Sequence, residues 1–245
     1  MSEFTSKLIE VSNLNDATKG LITEENAPVF EALCSHMLKV NDSLNLTAIR
    51  DEDGVILKHF VDSCALVPFI PQGASMIDVG CGGGFPSLPV AILRPDVKVL
   101  GLDSVTKKVN YVADTAKLLG LSNVITSNAR AEVLGQDSAY REKYDVVSAR
   151  GVGRLCLLCE LCLPLLKIGG KFIAMKSIGS DAEIDEALNA MFLLGGKIEK
   201  VISFPLTNGK EDLSRTIVVI KKVSPTPKKY PRNNSQIAKK PLLFL

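Results

Sequence analysis

The stretch "IDVGCGGGFPSLPVAILRPDVKVLGLDS", Ile77 to Ser104, decides how the rest of the chain is read. Two short apolar runs are joined through a turn holding four glycines, Gly80, Gly82, Gly83 and Gly84, around a lone cysteine, Cys81. The runs carry acids at Asp78 and Asp103. Glycine removes the Cβ that would keep a ligand away from backbone. A turn of this kind after a strand therefore belongs to a binding site for a phosphate, a ribose or a similar polar ligand.

The same rhythm continues on the C-terminal side. Short β-rich runs at 75–80, 98–103, 123–128, 144–149 and 171–176 alternate with helical stretches near 86–93, 105–119, 153–166 and 181–194. Alternation predicts a parallel sheet with helices on both faces. The last two runs, 200–204 and 215–222, are separated by "PLTNGKEDL", a spacing that predicts a closing hairpin rather than another crossover. On the N-terminal side, Val29, Phe30, Leu33, Met37 and Val40 recur at helical spacing, and a second helix is expected from a polar turn at Arg50–Gly54 through Leu66. The chain thus divides into a helical N-terminal extension (1–70), a sheet domain (71–222) and a C-terminal arm (223–245) that carries three prolines beyond the first, Pro225, and reads as extended.

Composition narrows the class. No apolar run approaches the ~20 residues that span a bilayer, and Met1–Asn15 has no basic-then-apolar leader layout, so a cytoplasmic protein is expected. Charge is uneven: all acids lie in residues 1–212, whereas 213–245 hold eight Lys/Arg and no acid. A basic end on a mildly acidic body suggests an anionic partner such as nucleic acid. Cys156, Cys159 and Cys162 sit in the leucine-rich run "LCLLCELCLPLL" with no fourth ligand at cluster spacing, so they are expected as small apolar residues of a buried helix, and no metal is expected.

The loop itself discriminates among ligands. A dinucleotide fingerprint wants glycine where this chain has Phe85, and a phosphate-binding P-loop wants a Lys-Ser or Lys-Thr pair that is missing. Asp78 to Gly84 instead spell D-x-G-x-G-x-G, the pattern of S-adenosylmethionine enzymes. Asp103, at the end of the next strand, is placed to accept both ribose hydroxyls. After the third strand, "SNARAE" puts Ala131 where an adenine packs, with Glu132 beside it. The expected fold is therefore α/β, a Rossmann-like class I S-adenosylmethionine-dependent methyltransferase fold with a mostly parallel seven-stranded sheet. The fourth strand closes on Ser148-Ala149-Arg150-Gly151, without the Asn/Asp-Pro-Pro-aromatic motif of amine methylation or the Pro-Cys pair of cytosine-ring methylation. Arg150 brings a fixed planar cation suited to a phosphate, a carboxylate or a guanine edge. A small-molecule methyltransferase and a non-catalytic RNA-binding relic of the fold are the competing readings.

Seven blocks, "NLTAI" (45–49), "LKHFVDS" (57–63), "IDVGCGGGFPSLP" (77–89), "LDS" (102–104), "RAE" (130–132), "SARGVGRL" (148–155) and "PKKYPR" (227–232), resemble the RsmG/GidB family in order along the chain. The resemblance implies a bacterial enzyme that methylates guanine N7 in 16S ribosomal RNA, free or in the small ribosomal subunit; separately, a monomer is expected. It implies cofactor contacts at Gly80, Phe85, Ala131, Glu132 and Arg150, to which the loop chemistry adds Gly82 and Asp103. Arg150 is the candidate catalytic residue through positioning, and His59, three residues before Asp62, is a weaker candidate for acid–base work. Lys176, Lys228, Lys229 and Arg232 are expected to meet RNA phosphates. Guanine N7 carries a lone pair and no proton, so such an enzyme needs alignment rather than a general base.

Overall fold

The computed structural model of the chain describes residues 1–177 and 181–243. In chain order the first elements are α1 (Glu3–Asn13), α2 (Ala27–Leu44), α3 (Glu52–Val55), a π-helical stretch (Ile56–Val61) and α4 (Asp62–Cys64). The expected turn at Arg50–Gly54 is shorter than predicted. Asp51 caps the helix, its carboxylate accepting the Gly54 N–H at 2.7 Å, so the helical run starts at Glu52. Phe30, Leu33 and Met37 of α2 are fully buried with Phe60, and the Phe30 and Phe60 rings meet edge to face at 5.1 Å between centroids. Burying each such side chain stabilises the fold by roughly 1.5–3 kcal/mol, which fixes this helical layer against the sheet domain.

The sheet domain follows with β1 (Ser75–Val79), α5 (Ser87–Leu93), β2 (Lys98–Asp103), α6 (Thr106–Leu118), β3 (Val124–Asn128), α7 (Ala131–Leu134), β4 (Tyr144–Arg150) and α8 (Leu155–Cys162). Then come β5 (Leu166–Ser177), α9 (Asp181–Leu193), β6 (Gly196–Thr207) and β7 (Asp212–Lys222). The seven strands lie in the order β3-β2-β1-β4-β5-β7-β6. β1 to β5 pair in parallel, while β7 runs antiparallel between β5 and β6. The hairpin expected at the end is present, folded so that its second strand sits inside. From β1 the chain steps outward to β3, then returns to place β4 on the other side of β1. That reversal opens a crevice at the C-terminal ends of β1 and β4, where open α/β sheets bind ligands.

Helix α8 ends at Cys162 because Pro164 cannot continue it, four residues before the sequence-based limit. Cys156, Cys159 and Cys162 are free and buried along its packed face, as a leucine-rich core helix requires. Beneath the crevice the buried Asp78 carboxylate accepts the Ser87 hydroxyl at 2.6 Å and the Ser148 hydroxyl at 2.7 Å, tying β1, α5 and β4 together.

The C-terminal segment does not run free. Tyr230 and Ile237 are buried, and a short helix, α10 (Asn234–Lys239), packs beside α8. The buried Lys222 ammonium donates to Leu163 O at 2.7 Å and to the Thr226 hydroxyl, and lies 3.4 Å from Glu142. Burial pushes the Lys222 ammonium down to about 8. Proline content suggested an extended arm; long-range pairing to the sheet domain, invisible in local sequence, lays it on the surface instead. Among the described residues, no helix is long and apolar enough to cross a membrane.

Candidate active site

The glycine turn after β1 is anchored on β2. The Gly80 and Cys81 N–H groups both donate to Leu102 O, at 2.8 and 3.0 Å. The Gly82 N–H donates to one Asp103 carboxylate oxygen at 3.0 Å, and the Val105 N–H donates to the other at 2.9 Å. Asp103 therefore sets the loop as well as facing the crevice. Gly82 has φ +56°, and a Cβ on it would meet nothing nearer than 3.9 Å, so it would project into open space. Gly80, at φ +73°, has a different reason: its Cβ would come within 2.5 Å of Val152 in the loop after β4.

The open space is a cavity of about 440 Å³. The structure brings Gly80, Gly82, Phe85, Asp103, Ala131, Glu132 and Arg150 to its walls, with His59 at one end. A second cavity, of about 450 Å³, shares His59, Arg150 and Gly151 with the first and adds Asp62, Lys176, Phe204 and Arg215.

Arg150, the last residue of β4, occupies the wall between the two cavities. Its Nη1 donates to Lys58 O at 2.8 Å and to Asp62 Oδ2 at 3.0 Å, and its guanidinium lies 5.6 Å from the Phe85 ring centre. His59 stacks on Phe85 at 4.4 Å between centroids, nearly parallel. The His59 Nδ1 faces Arg150 Nη2 at 3.2 Å. A guanidinium only donates, so Nδ1 accepts and the ring proton sits on Nε2, toward the Thr47 hydroxyl at 2.9 Å. Burial, with the Arg150 charge beside it, pushes the His59 imidazole down to about 3. The ring is neutral with its lone pair engaged, which answers the expectation of a His59–Asp62 acid–base pair: the two residues are joined through Arg150. Asp62 is also held by Arg215, whose Nε donates to Oδ1 at 3.0 Å. The buried carboxylate thus carries two cations across its two oxygens.

The four expected phosphate contacts separate into two kinds. Lys176 donates to Gly153 O at 2.8 Å and to Glu183 at 2.7 Å. Arg232 makes a bidentate pair with the buried Glu160, at 2.8 Å from Nε and 2.6 Å from Nη2. Both cations pair with carboxylates of the chain itself, and Lys176 also lines the second cavity. Lys228 and Lys229 are exposed, the latter 5.2 Å from the Tyr230 ring centre. His36 stacks on Tyr111 at 5.6 Å, away from both cavities. Sequence reasoning missed Arg215, Thr47 and Asn234, which lines the first cavity from the C-terminal arm. Thr47 lay within a quoted block without a role; nothing in the local sequence marks the other two.

The family profile described as rRNA small subunit methyltransferase G (GidB) matches residues 26–212. The ribosomal RNA small subunit methyltransferase G of Lactobacillus delbrueckii subsp. bulgaricus is 44% identical over 219 residues, covering 87% of this chain and 90% of the relative. That of Streptococcus pyogenes serotype M1 is 45% identical over 216 residues, covering 87% and 90%. A SAM-dependent methyltransferase of Methanosarcina mazei superposes with a TM-score of 0.50 at 12% identity, over 64% of this chain and 95% of that one, a likeness of fold alone.

Proposed function

The chain belongs to the rRNA small subunit methyltransferase G (GidB) family, and from that premise we propose that it methylates N7 of one guanine in 16S ribosomal RNA. Its cofactor is S-adenosylmethionine, which when bound supplies an electrophilic methyl group. The residues present fit that cofactor. The Gly82 position leaves room for a ligand against backbone, Asp103 offers carboxylate oxygens at the end of β2, and Ala131 offers a small face after β3.

One observation carries the N7 assignment: the groups at the wall between the cavities that could take a proton are each held by a donor. The His59 lone pair faces Arg150, and both Asp62 oxygens accept from arginines. An exocyclic amine that must lose a proton would need a free base here; guanine N7 does not. What remains for the protein is alignment. The target base is taken to enter the second cavity, against Phe204, while Arg150 and His59 fix the wall across which the methyl passes. Arg150, pinned by Lys58 O and Asp62, is the positioning cation, and Lys228 and Lys229 are left for RNA phosphates.

The test is methyl incorporation from labelled cofactor into small-subunit RNA lacking the modification, with the product nucleoside identified. Replacing the target guanine by 7-deazaguanine should end methylation while RNA still binds. Single-turnover transfer should be nearly flat from about pH 6.5 to 8.5. Continued methylation of the deaza substrate, or an ascending limb of unit slope, refutes the assignment.

A further inference from the structure

The path of the C-terminal arm leads to the cofactor cavity. Arg141 ties it to α7, donating to Tyr230 O at 2.7 Å and Thr226 O at 2.7 Å on the arm and to Gly135 O at 2.6 Å at the end of α7. Gln136 donates to Pro231 O at 2.8 Å. Gly135, which closes α7, is packed so closely that a Cβ on it would lie 2.7 Å from Pro231 Cγ. The arm is thereby fixed to the short helix that carries Ala131 and Glu132. Three residues beyond Pro231, Asn234 reaches the cavity beside Ala131, Glu132 and Leu161. Its backbone is held on both sides. The Asn233 side chain accepts the Gln236 N–H at 3.0 Å, and Ile237 is 2% exposed against the core. The Asn234 side chain itself is exposed and keeps its amide for a ligand.

We propose that the arm completes the cofactor site and that the Asn234 amide reads the edge of the adenine base of S-adenosylmethionine. This deepens, and rests on, the reading of the glycine-loop cavity as the cofactor site. Adenine presents a donor, the N6 amine, next to a ring-nitrogen acceptor; an asparagine amide presents an acceptor next to a donor at matching spacing. Glycine backbone and Asp103 hold the amino-acid and ribose ends, whereas the base end would otherwise meet Ala131, which has no polar side-chain atom, and Glu132, whose carboxylate accepts from an amine but offers no donor to a ring nitrogen. The arm's basic residues suggested a role in RNA binding alone; its docking on α7 assigns it a second role at the cofactor.

The test uses the full chain and calorimetric binding of S-adenosylhomocysteine, with the 6-hydrogen purine analogue lacking the exocyclic amine as second ligand. Asn234→Ala should weaken S-adenosylhomocysteine about tenfold while the melting temperature stays within about 2 °C, because the residue is exposed at the first position of a helix. Wild type should prefer the adenine ligand over the analogue, and that preference should collapse toward unity in Asn234→Ala. Asn234→Ser should lie between the two. Equal affinity in wild type and Asn234→Ala, or a loss that leaves the preference intact, overturns the proposal. Gly82→Val is the control on the underlying site and should abolish binding. Binding that survives Gly82→Val places the cofactor elsewhere and removes the proposal with it; binding lost there but unchanged in Asn234→Ala refutes the arm's role alone.

Discussion

Removing the Arg232 guanidinium measures how far the arm belongs to the fold. Glu160 lies on α8 with 1% exposure, and it accepts three bonds from Arg232: the backbone N–H at 2.9 Å, Nε at 2.8 Å and Nη2 at 2.6 Å. In Arg232→Ala the backbone bond can persist, but the carboxylate loses its cation while remaining buried. Breaking a buried pair from one side costs about 3–5 kcal/mol. The Arg232 side chain is 20% exposed, so water screens part of the loss and the lower end applies, about 3 kcal/mol. For a chain of this size that corresponds to a fall in melting temperature of about 6–12 °C. Adding Glu160→Gln removes the stranded charge while keeping an acceptor for the backbone N–H, and should recover part of the loss. Scanning calorimetry on the full chain at pH 7 reads both. An Arg232→Ala protein that melts within about 2 °C of wild type, or a double variant less stable than the single one, refutes the claim that this pair anchors the arm.

Three further outcomes follow from the same geometry. Asp103→Ala removes the acceptor of the Gly82 and Val105 N–H groups, so S-adenosylhomocysteine affinity measured by calorimetry should fall by about 1–3 kcal/mol, and an unchanged Kd would remove Asp103 from the site. His59 has a folded pKa, about 3, below its ordinary value, so the unfolded chain takes up a proton that the folded one refuses. Its contribution to stability is present above pH 6.5 and is lost as pH falls toward 3; between pH 7 and 5.5, wild type should lose about 1 kcal/mol more than His59→Gln in urea titrations. Replacing the exposed Lys228 and Lys229 together by alanine should weaken RNA binding and flatten its logarithmic salt slope by about 1.4 if both meet phosphates, and an identical slope would show that neither does.

Much of the architecture was legible because it is written in local patterns. Apolar runs of strand length, helical stretches between them and a glycine turn between β1 and α5 each specify their own conformation from neighbouring residues. Gly80 and Gly82 were marked by residue type alone, since positive φ and close backbone approach favour glycine wherever they occur. The π-helical stretch at Ile56–Val61 and the inward position of β7 were not legible, because helix register and strand order are set by what each element packs against.

The sequence by itself determined the parallel sheet, the loop chemistry and the family resemblance, all carried by short contiguous blocks. Tertiary structure alone decided how the charges are used. Asp62 and Arg150 are 88 residues apart, Asp62 and Arg215 are 153 apart, and Arg232 and Glu160 are 72 apart. Whether an arginine faces a phosphate or a buried carboxylate depends on distance and burial, and neither is written in its neighbours. The same limit applied to the arm: its prolines and lysines suggest a solvated end, while its lodging against α7 and the glycine-loop cavity arises from partners that only folding brings within reach.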